Sequence, residues 1–175
     1  MVANAPSLLI TDDDLDFRET LRGVFEPRGF HTLTAGDGEE ALEILKHETV
    51  HLALFDMHMP RLSGLDAIRR LKELYRPLPC ILLSAEADEQ LIAEAREARA
   101  FDVLRKPVTR DRVINVVQLA LETSYERGDW RRPARFVRRR VFFDRPDREP
   151  LSGERRRILS SLRSQSVIFP GLWAP

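Results

Sequence analysis

Five polar side chains in the sequence stand where short apolar runs end. They are Asp12 and Asp13 after the first run, Asp56 at the end of the third, Ser84 at the end of the fourth and Lys106 just beyond the fifth. Three carboxylates brought to one point repel each other, and at ~5 Å with an effective dielectric constant of ~20 each pair costs on the order of 3 kcal/mol. A cluster of this kind therefore needs a compensating positive charge.

A hard divalent cation with oxygen ligands is the natural compensating charge. Mg²⁺ suits a site with few protein carboxylates, because it keeps several waters and also binds phosphate oxygens. Lys106 adds a second positive charge, and Ser84 adds a hydrogen-bond donor. A carboxylate, a magnesium ion, a hydroxyl and an ammonium together supply what a phosphoryl group needs, namely a nucleophile, charge neutralisation and donors.

Alternating strand-like and helix-like patterns between residues 7 and 126 predict how these side chains are positioned. The predicted strands are Ser7–Thr11, His31–Ala35, His51–Asp56, Cys80–Ser84 and Phe101–Leu104. The predicted helices begin near Asp14, after the turn Gly36–Gly38, near Gly64, near Glu86 and near Val108, and the last of them runs to Glu126.

Five strand-then-helix repeats favour an α/β fold, a doubly wound five-stranded parallel sheet with flanking helices. Each parallel crossover needs a connection that recrosses the sheet, so helices cover both faces. Ligands of such sheets bind beyond the carboxyl ends of the strands. Because the five polar side chains all stand at those ends, we expect them to converge.

Four sequence motifs in this region stand in a fixed order. They are LLITDDD (Leu8–Asp14), DMHMPRLSG (Asp56–Gly64), ILLSA (Ile81–Ala85) and LRKPV (Leu104–Val108). Together they resemble the receiver domains of response regulators in two-component signalling, over about residues 6–127. The gaps agree with that family as well, with 43 positions from Asp13 to Asp56, 28 from Asp56 to Ser84 and 22 from Ser84 to Lys106. The resemblance implies the flavodoxin-like receiver fold.

The resemblance also implies a role for each acidic residue of the cluster. Asp56 matches the aspartate that accepts a phosphoryl group from the phosphohistidine of a sensor kinase. Asp13 matches the direct Mg²⁺ ligand and Asp12 its water-linked neighbour. The backbone carbonyl of His58 matches a further ligand. His58 and Glu86 also stand where family members tune the rate of dephosphorylation, and a plain role as solvated loop residues is left open for both.

The remaining matches concern the hydroxyl and the ammonium. Ser84 matches the hydroxyl that turns toward the phosphoryl group, and Lys106 matches the lysine that pairs with it. Pro107 stands where the family usually has a cis peptide bond. One position departs from the family, because Val103 occupies a place that commonly holds Tyr or Phe as a rotamer switch. Phe101 lies two residues earlier, and strand alternation places it on the same side, although we do not expect it to replace the switch.

The implied function is that of a cytoplasmic phosphoacceptor signalling protein and not of an enzyme with a separate substrate. Phosphoryl transfer to Asp56 and its later hydrolysis would be self-catalysed. The added charge would shift the surface formed by the fourth helix, fifth strand and fifth helix. The implied partners are a sensor histidine kinase or phosphotransfer protein, a downstream protein and, as a further option, a second copy of the chain.

Composition excludes several other classes of protein. No apolar run approaches the roughly 18 residues that a membrane span needs, so we expect no membrane segment. Cys80 is the only cysteine. An intrachain disulfide and a thiolate zinc cluster are therefore excluded, and we expect Cys80 to be a buried small apolar residue.

A second enzyme class remains as the alternative function. Asp12 and Asp14, two residues apart after an apolar strand, resemble the nucleophile and the acid/base of haloacid-dehalogenase-like phosphatases. The later hydroxyl and ammonium fit that scheme too. It also requires a further acidic pair after the lysine, where only Asp111 and later helix residues are available. It leaves the segment 56–60 unexplained.

Charge is divided unevenly along the chain although its total is zero. Residues 1–127 carry 16 basic and 23 acidic side chains, whereas residues 128–175 carry 12 arginines, no lysine and 5 acidic side chains. This change predicts a domain boundary near Gly128, after which an arginine-rich extension is partly disordered or docked on the acidic receiver. Nucleic-acid binding by the arginines and aromatic residues of this extension, or a truncated output module, remain as alternatives.

Overall fold

The computed structural model describes residues 5–73, 78–126 and 129–133. Its main sheet has five strands, which are β1 (Ser7–Thr11), β2 (His31–Ala35), β3 (Leu52–Asp56), β4 (Cys80–Ser84) and β5 (Asp102–Arg105). They lie in the order β2-β1-β3-β4-β5, and every neighbouring pair is parallel. The predicted doubly wound, five-stranded parallel sheet is confirmed, because the order reverses between β1 and β3 as that fold requires.

The helices of the sheet begin at polar caps. They are α1 (Leu15–Phe25), α2 (Gly38–His47), α3 (Gly64–Glu73), α4 (Glu89–Glu97) and α5 (Arg110–Ser124). The side chains of Asp88 and Thr109 accept hydrogen bonds from backbone N–H groups of the first turns of α4 and α5. Both helices therefore start two or three residues later than their apolar patterns predict. The apolar pattern of the third predicted helix continues to Leu74, which lies outside the described residues.

Two apolar clusters cover the two faces of the sheet. Leu9 and Phe55 pack in the first cluster with side chains of α2, α3 and α4. Leu8 and Ile10 pack in the second with side chains of α1 and α5. Every residue of β3 and β4 is buried, as expected for central strands covered on both faces. Cys80 is fully buried in the first cluster, in agreement with its predicted apolar role.

Val103 and Phe101 pack on opposite faces of the sheet. Val103 belongs to the cluster under α3 and α4, whereas Phe101 packs against the cluster under α1 and α5. The expectation that Phe101 lies on the same side as Val103 is therefore wrong. Side chains alternate regularly only within a strand, and Phe101 precedes the first residue of β5, Asp102.

The amino ends of β1 and β3 are joined by neutral hydrogen bonds. The backbone N–H of Ser7 donates to Nδ1 of His51 at 2.9 Å. The hydroxyl of Tyr125 donates to the carbonyl oxygen of His51 at 2.8 Å. Burial lowers the pKa of His51 and raises the pKa of Tyr125 to about 12. Both side chains are therefore neutral at pH 7.

A short antiparallel pair follows α5. Its strands are β6 (Tyr125–Glu126) and β7 (Asp129–Pro133), which lie on either side of the boundary that we predict between residues 127 and 128. That boundary remains a prediction, and residues 134–175 of the extension lie outside the described part of the chain. Among the helices that the structure describes, none has the length and apolarity to cross a membrane.

Candidate functional site

Three carboxylates meet at the carboxyl edge of the sheet. Asp12 directly follows β1 and Asp56 is the last residue of β3, and the two strands are neighbours in the sheet. One oxygen each from Asp12, Asp13 and Asp56 lies within 4.8 Å of the other two. Asp12 and Asp56 are 1% and 5% exposed, whereas Asp13 is exposed. The structure therefore brings together the three acids that the sequence places at strand ends.

Lys106 follows the outermost strand β5, and its side chain extends from there to this cluster. Its Nζ lies 2.6 Å from Oδ2 of Asp12 and 2.6 Å from Oδ1 of Asp56. Burial alone would lower the pKa of Lys106, but the ion pairs with the two carboxylates outweigh burial and raise it. Burial raises the pKa of Asp12, and the hydrogen bond from Lys106 opposes that rise. The ammonium thus offsets part of the repulsion between the carboxylates.

Backbone groups fix the orientation of the two buried carboxylates. The N–H of Asp14 donates to Oδ1 of Asp12 at 2.9 Å, and the N–H of His58 donates to Oδ2 of Asp56 at 2.8 Å. The guanidinium of Arg18 also donates to the carbonyl oxygen of Asp12. Each buried carboxylate is therefore held by one backbone N–H and by the same ammonium.

The loop after Asp56 is held in place at two points. A Cβ on Gly64 would lie 2.1 Å from the carbonyl oxygen of Asp56, so only glycine allows α3 to start this close to the end of β3. Arg61 has a left-handed backbone with φ 64, a conformation that costs a non-glycine residue roughly 1 kcal/mol. Its guanidinium pairs with the buried carboxylate of Asp37, which caps α2.

Ser84 is next to the cluster, but its hydroxyl is bonded elsewhere. The side chain is fully buried, and Oγ donates to the carbonyl oxygen of Glu86 at 3.0 Å and accepts from its N–H at 3.2 Å. The backbone N–H of Lys106 donates to the carbonyl oxygen of Ser84 at 2.8 Å. The peptide bond from Lys106 to Pro107 is cis, as the resemblance implies. Ser84 therefore contacts a site residue through its backbone carbonyl, while its hydroxyl is hydrogen-bonded within the loop that follows β4.

Phe17 is a site residue that the sequence pattern did not reveal. Its helical spacing predicts only a place on the apolar face of the first helix. In the structure, Nζ of Lys106 lies 4.4 Å from the centroid of the Phe17 ring, which is a cation–π contact. Only the relative placement of α1 and β5 brings these two residues together.

The donor set of the cluster fits a hard divalent cation. Three carboxylates offer oxygen atoms close to one another, and two of them are buried where uncompensated negative charge is costly. Carboxylate oxygens are the ligands that Mg²⁺ takes together with waters and phosphate oxygens. The residues present therefore suit Mg²⁺.

Comparison with known sequences decides the family. The sequence profile described as response regulator receiver domain matches residues 8–118. The chain belongs to the response-regulator receiver family. Receiver domains bind Mg²⁺ at an acidic pocket, and this receiver has such an acidic cluster. The match gives no support to the alternative of a haloacid-dehalogenase-like phosphatase.

Two curated relatives share about the same region of this receiver. Sporulation initiation phosphotransferase F of Bacillus subtilis (strain 168) is 31% identical over 111 residues, which cover 63% of this chain and 90% of that protein. The C4-dicarboxylate transport transcriptional regulatory protein DctD of Rhizobium meliloti (strain 1021) is 30% identical over 118 residues, which cover 67% of this chain and 26% of DctD. The receiver thus corresponds to nearly all of one relative and to about a quarter of the other.

A solved structure agrees with this assignment. The receiver domain of the Francisella response regulator 1452 superposes with a TM-score of 0.64 at 29% sequence identity. The superposition covers 67% of this chain and 97% of that domain. The fold described above is therefore that of a receiver domain of two-component signalling.

Proposed function

We propose that the Asp56 carboxylate accepts a phosphoryl group from the phosphohistidine of a sensor histidine kinase or phosphotransfer protein. The observation that carries the proposal is the position of Asp56. Its buried carboxylate ends the central strand β3, 2.6 Å from an ammonium and within 4.8 Å of two more carboxylate oxygens. Membership of the receiver family supports the same assignment.

The transfer exchanges one bond to phosphorus for another. A carboxylate oxygen of Asp56 attacks the phosphorus atom while the bond to the histidine nitrogen breaks, and the nitrogen keeps the electron pair. The N–H of His58 orients the carboxylate through Oδ2. Lys106 neutralises negative charge while the bond forms. When held by Asp12, Asp13 and Asp56, with the His58 carbonyl as a further predicted ligand, Mg²⁺ supplies positive charge to the phosphoryl oxygens.

Hydrolysis of the phosphoryl group, self-catalysed within the receiver, returns Asp56 to its free state. His58 and Glu86 are the residues that we propose to set its rate. His58 is exposed and its N–H already contacts the Asp56 carboxylate. Glu86 is exposed and its backbone bonds to the Ser84 hydroxyl. His58 and Glu86 thus contact the Asp56 carboxylate and the Ser84 hydroxyl, the two groups that would lie next to the phosphoryl group.

The output begins when Ser84 changes partner. Phosphorylation adds about −1.5 to −2 charges and new acceptor oxygens. To donate to them, the Ser84 hydroxyl must give up the carbonyl of Glu86, to which it is now bonded. The loop after β4 moves as a result. A two-state element with a gap of a few kcal/mol passes that movement to α4, β5 and α5.

The proposed receiving surface includes a cleft at β5 and α5. The cleft has a volume of about 410 Å³ and its lining includes Val103, Arg105 and Arg112. A downstream protein, or a second copy of the chain, is the partner that we propose for this surface. Because Val103 offers no aromatic ring, the shift of backbone and helices carries the signal. We also propose a cytoplasmic location, since the phosphodonor is a partner protein of the two-component pathway.

The division of the chain into a receiver and an extension remains part of the proposal. Residues 1–127 are the receiver, and residues 128–175 are the arginine-rich extension, partly disordered or docked on the receiver. Opposite net charges, −7 for the first segment and +7 for the second, support docking. Nucleic-acid binding by the extension would instead show as a salt-dependent affinity of the full chain that residues 1–127 alone lack.

Intact mass spectrometry tests the proposed acceptor. The full chain is incubated with Mg²⁺ and acetyl phosphate, beside the variants Asp56→Asn and Asp111→Asn. We expect one phosphoryl adduct on the wild type and on the Asp111 variant, and none on the Asp56 variant. An adduct that persists in Asp56→Asn would move the acceptor to another residue. Turnover of a generic phosphate ester that is lost in Asp12→Asn but retained in Asp56→Asn would favour the phosphatase.

A further inference from the structure

We propose that Phe17 is a positioning residue that holds the ammonium of Lys106 between the carboxylates of Asp12 and Asp56. This inference rests on the proposed function of Asp56 only for its consequence, which is faster phosphoryl transfer. The contact itself is independent of phosphorylation. Nζ of Lys106 lies over the Phe17 ring, 4.4 Å from its centroid.

The first turn of α1 places the ring. Asp14 caps the helix, and its Oδ1 accepts from the N–H of Asp16 at 2.9 Å and from the N–H of Phe17 at 3.2 Å. The N–H of Asp14 in turn donates to the carboxylate of Asp12. One short segment therefore carries a carboxylate of the site and the ring beside it. The ring also packs against the apolar cluster under α1 and α5, which restrains it further.

The ammonium of Lys106 needs a contact that survives an exchange of partners. It has three donors, and it now makes short bonds to two carboxylates. Phosphorylation would turn the Asp56 carboxylate into an acyl phosphate and move its negative charge to the phosphoryl oxygens, so the ammonium would have to shift from Asp56 toward them. Hydrogen bonds are directional and are lost during that exchange, whereas attraction to the face of a ring tolerates small displacements. The Phe17 ring thus keeps the ammonium of Lys106 at the site while the hydrogen bonds of that ammonium change.

Partial burial of Lys106 strengthens its contact with the Phe17 ring. The Lys106 side chain is 25% exposed, so the ammonium has already lost much of its water. Cation–π attraction is stronger at such sites than at the open surface. Loss of the ring is expected to slow phosphoryl transfer roughly two- to tenfold, the factor that corresponds to the usual strength of one such contact.

Two variants of Phe17 separate the ring from its bulk. Phe17→Leu keeps an apolar side chain for the cluster but removes the aromatic face, and Phe17→Tyr keeps the face. A role limited to core packing predicts similar behaviour for both, judged against their free energies of unfolding in urea. A positioning role predicts that only Phe17→Leu is impaired.

Nuclear magnetic resonance of the full chain tests the contact without any phosphodonor. The ring current should shift the ε-methylene protons of Lys106 upfield in the wild type and in Phe17→Tyr, and the shift should be lost in Phe17→Leu. The signals of Lys46, an exposed lysine, serve as the control because they should not change. Equal Lys106 shifts in all three proteins would overturn the proposal, whether or not Asp56 is phosphorylated.

Kinetics with acetyl phosphate and saturating Mg²⁺ test the consequence. We expect Phe17→Leu to lower the maximal rate constant while the concentration of acetyl phosphate at half-maximal rate changes little, and Phe17→Tyr to restore the wild-type rate. In a Lys106→Met background, Phe17→Leu should cause no further loss. An equal further loss in that background would overturn the proposal. Failure of the wild type to form an adduct would instead count against Asp56 as the acceptor and would leave the resonance result standing.

Discussion

The two edges of the sheet are built from opposite kinds of contact. At the carboxyl edge, Asp12, Asp56 and Lys106 form short charged contacts that cost desolvation energy and can change partners. At the amino edge, His51 joins Ser7 and Tyr125 through neutral hydrogen bonds, each worth about 1 kcal/mol net. We therefore distinguish a reactive edge, the carboxyl edge that carries the proposed acceptor Asp56, from a held edge, the amino edge where hydrogen bonds keep the strands in register.

The central strand β3 connects the two edges. It runs from Leu52 to Asp56, and all of its residues are buried. His51 precedes it at the held edge, and Asp56 ends it at the reactive edge. β1 makes a second connection, from Ser7 to the residue before Asp12, so a change at one edge can reach the other along either strand. Variants at each edge therefore show how far the two edges are independent.

The largest expected effect comes from Gly64→Ala at the reactive edge. The added Cβ would lie 2.1 Å from the backbone oxygen of Asp56, so either α3 or the end of β3 must move. We expect a loss of about 3 kcal/mol in the free energy of unfolding, measured in urea. Gly23→Ala is the matched control, since nothing lies within 4 Å of its added Cβ in the exposed part of α1. It should gain about 0.5–1 kcal/mol. A Gly64→Ala variant as stable as the wild type would mean that the approach is not tight.

The next effect is expected from Lys106→Met. This change keeps the length of the side chain but leaves two buried carboxylates without their cation, and we expect the free energy of unfolding to fall by about 2 kcal/mol. Added Mg²⁺ should recover part of that loss, because a second cation can take over the compensation. Lys46→Met, at an exposed pair with Glu43, should change stability by less than about 0.5 kcal/mol. Equal losses of stability in Lys106→Met and Lys46→Met would show that Lys106 does not stabilise the buried carboxylates of Asp12 and Asp56.

Tyr125→Phe probes the held edge with a smaller change. It removes the hydroxyl that donates to the carbonyl of His51 and keeps the ring. We expect a loss of about 1 kcal/mol in the free energy of unfolding. The rate of phosphorylation by acetyl phosphate should stay that of the wild type. A rate that changed more than the stability would show that the two edges are coupled.

The smallest effect concerns the pH dependence of the held edge. Burial lowers the pKa of His51 below its ordinary value of 6.5, so the unfolded chain binds the proton more readily than the folded chain. The contribution of His51 to stability is therefore fully present above pH ~6.5 and is lost as the pH falls toward the lower folded-state pKa.

Unfolding in urea at several pH values measures this dependence. The stability of His51→Asn, which keeps an acceptor for Ser7, should fall less between pH 7.5 and 5.5 than that of the wild type. Identical curves for His51→Asn and the wild type would show that His51 does not titrate differently on folding.

The sequence predicts strands more securely than it predicts contacts between distant elements. The bounds of β4, Cys80–Ser84, agree with the prediction because Pro77 and Pro79 limit an apolar run on one side and Ser84 ends it on the other. The start of α4 is less well predicted, since the apolar pattern continues before the cap at Asp88. A cap is a local hydrogen bond, and the cap at Asp88, rather than the apolar pattern, determines where α4 begins.

The gathering of the acids at one edge could be predicted, because parallel strands all end there. The ring of Phe17 beside Lys106 could not, since it depends on how far the Lys106 side chain extends across the sheet toward the first turn of α1. The same limit explains Phe101, whose face depends on where β5 begins. Spacing along the chain fixes which strand end a residue occupies, but it does not fix the orientation of a helix above that end.

Lys106 reaches across the sheet rather than along it. It follows β5, the outermost strand, yet its ammonium contacts groups at the ends of β1 and β3, with β4 in between. One side chain therefore acts as a mechanical tether between the border of the sheet and its centre. A change of charge at Asp56 would therefore act on the end of the border strand through Lys106 alone, in addition to any route through β4.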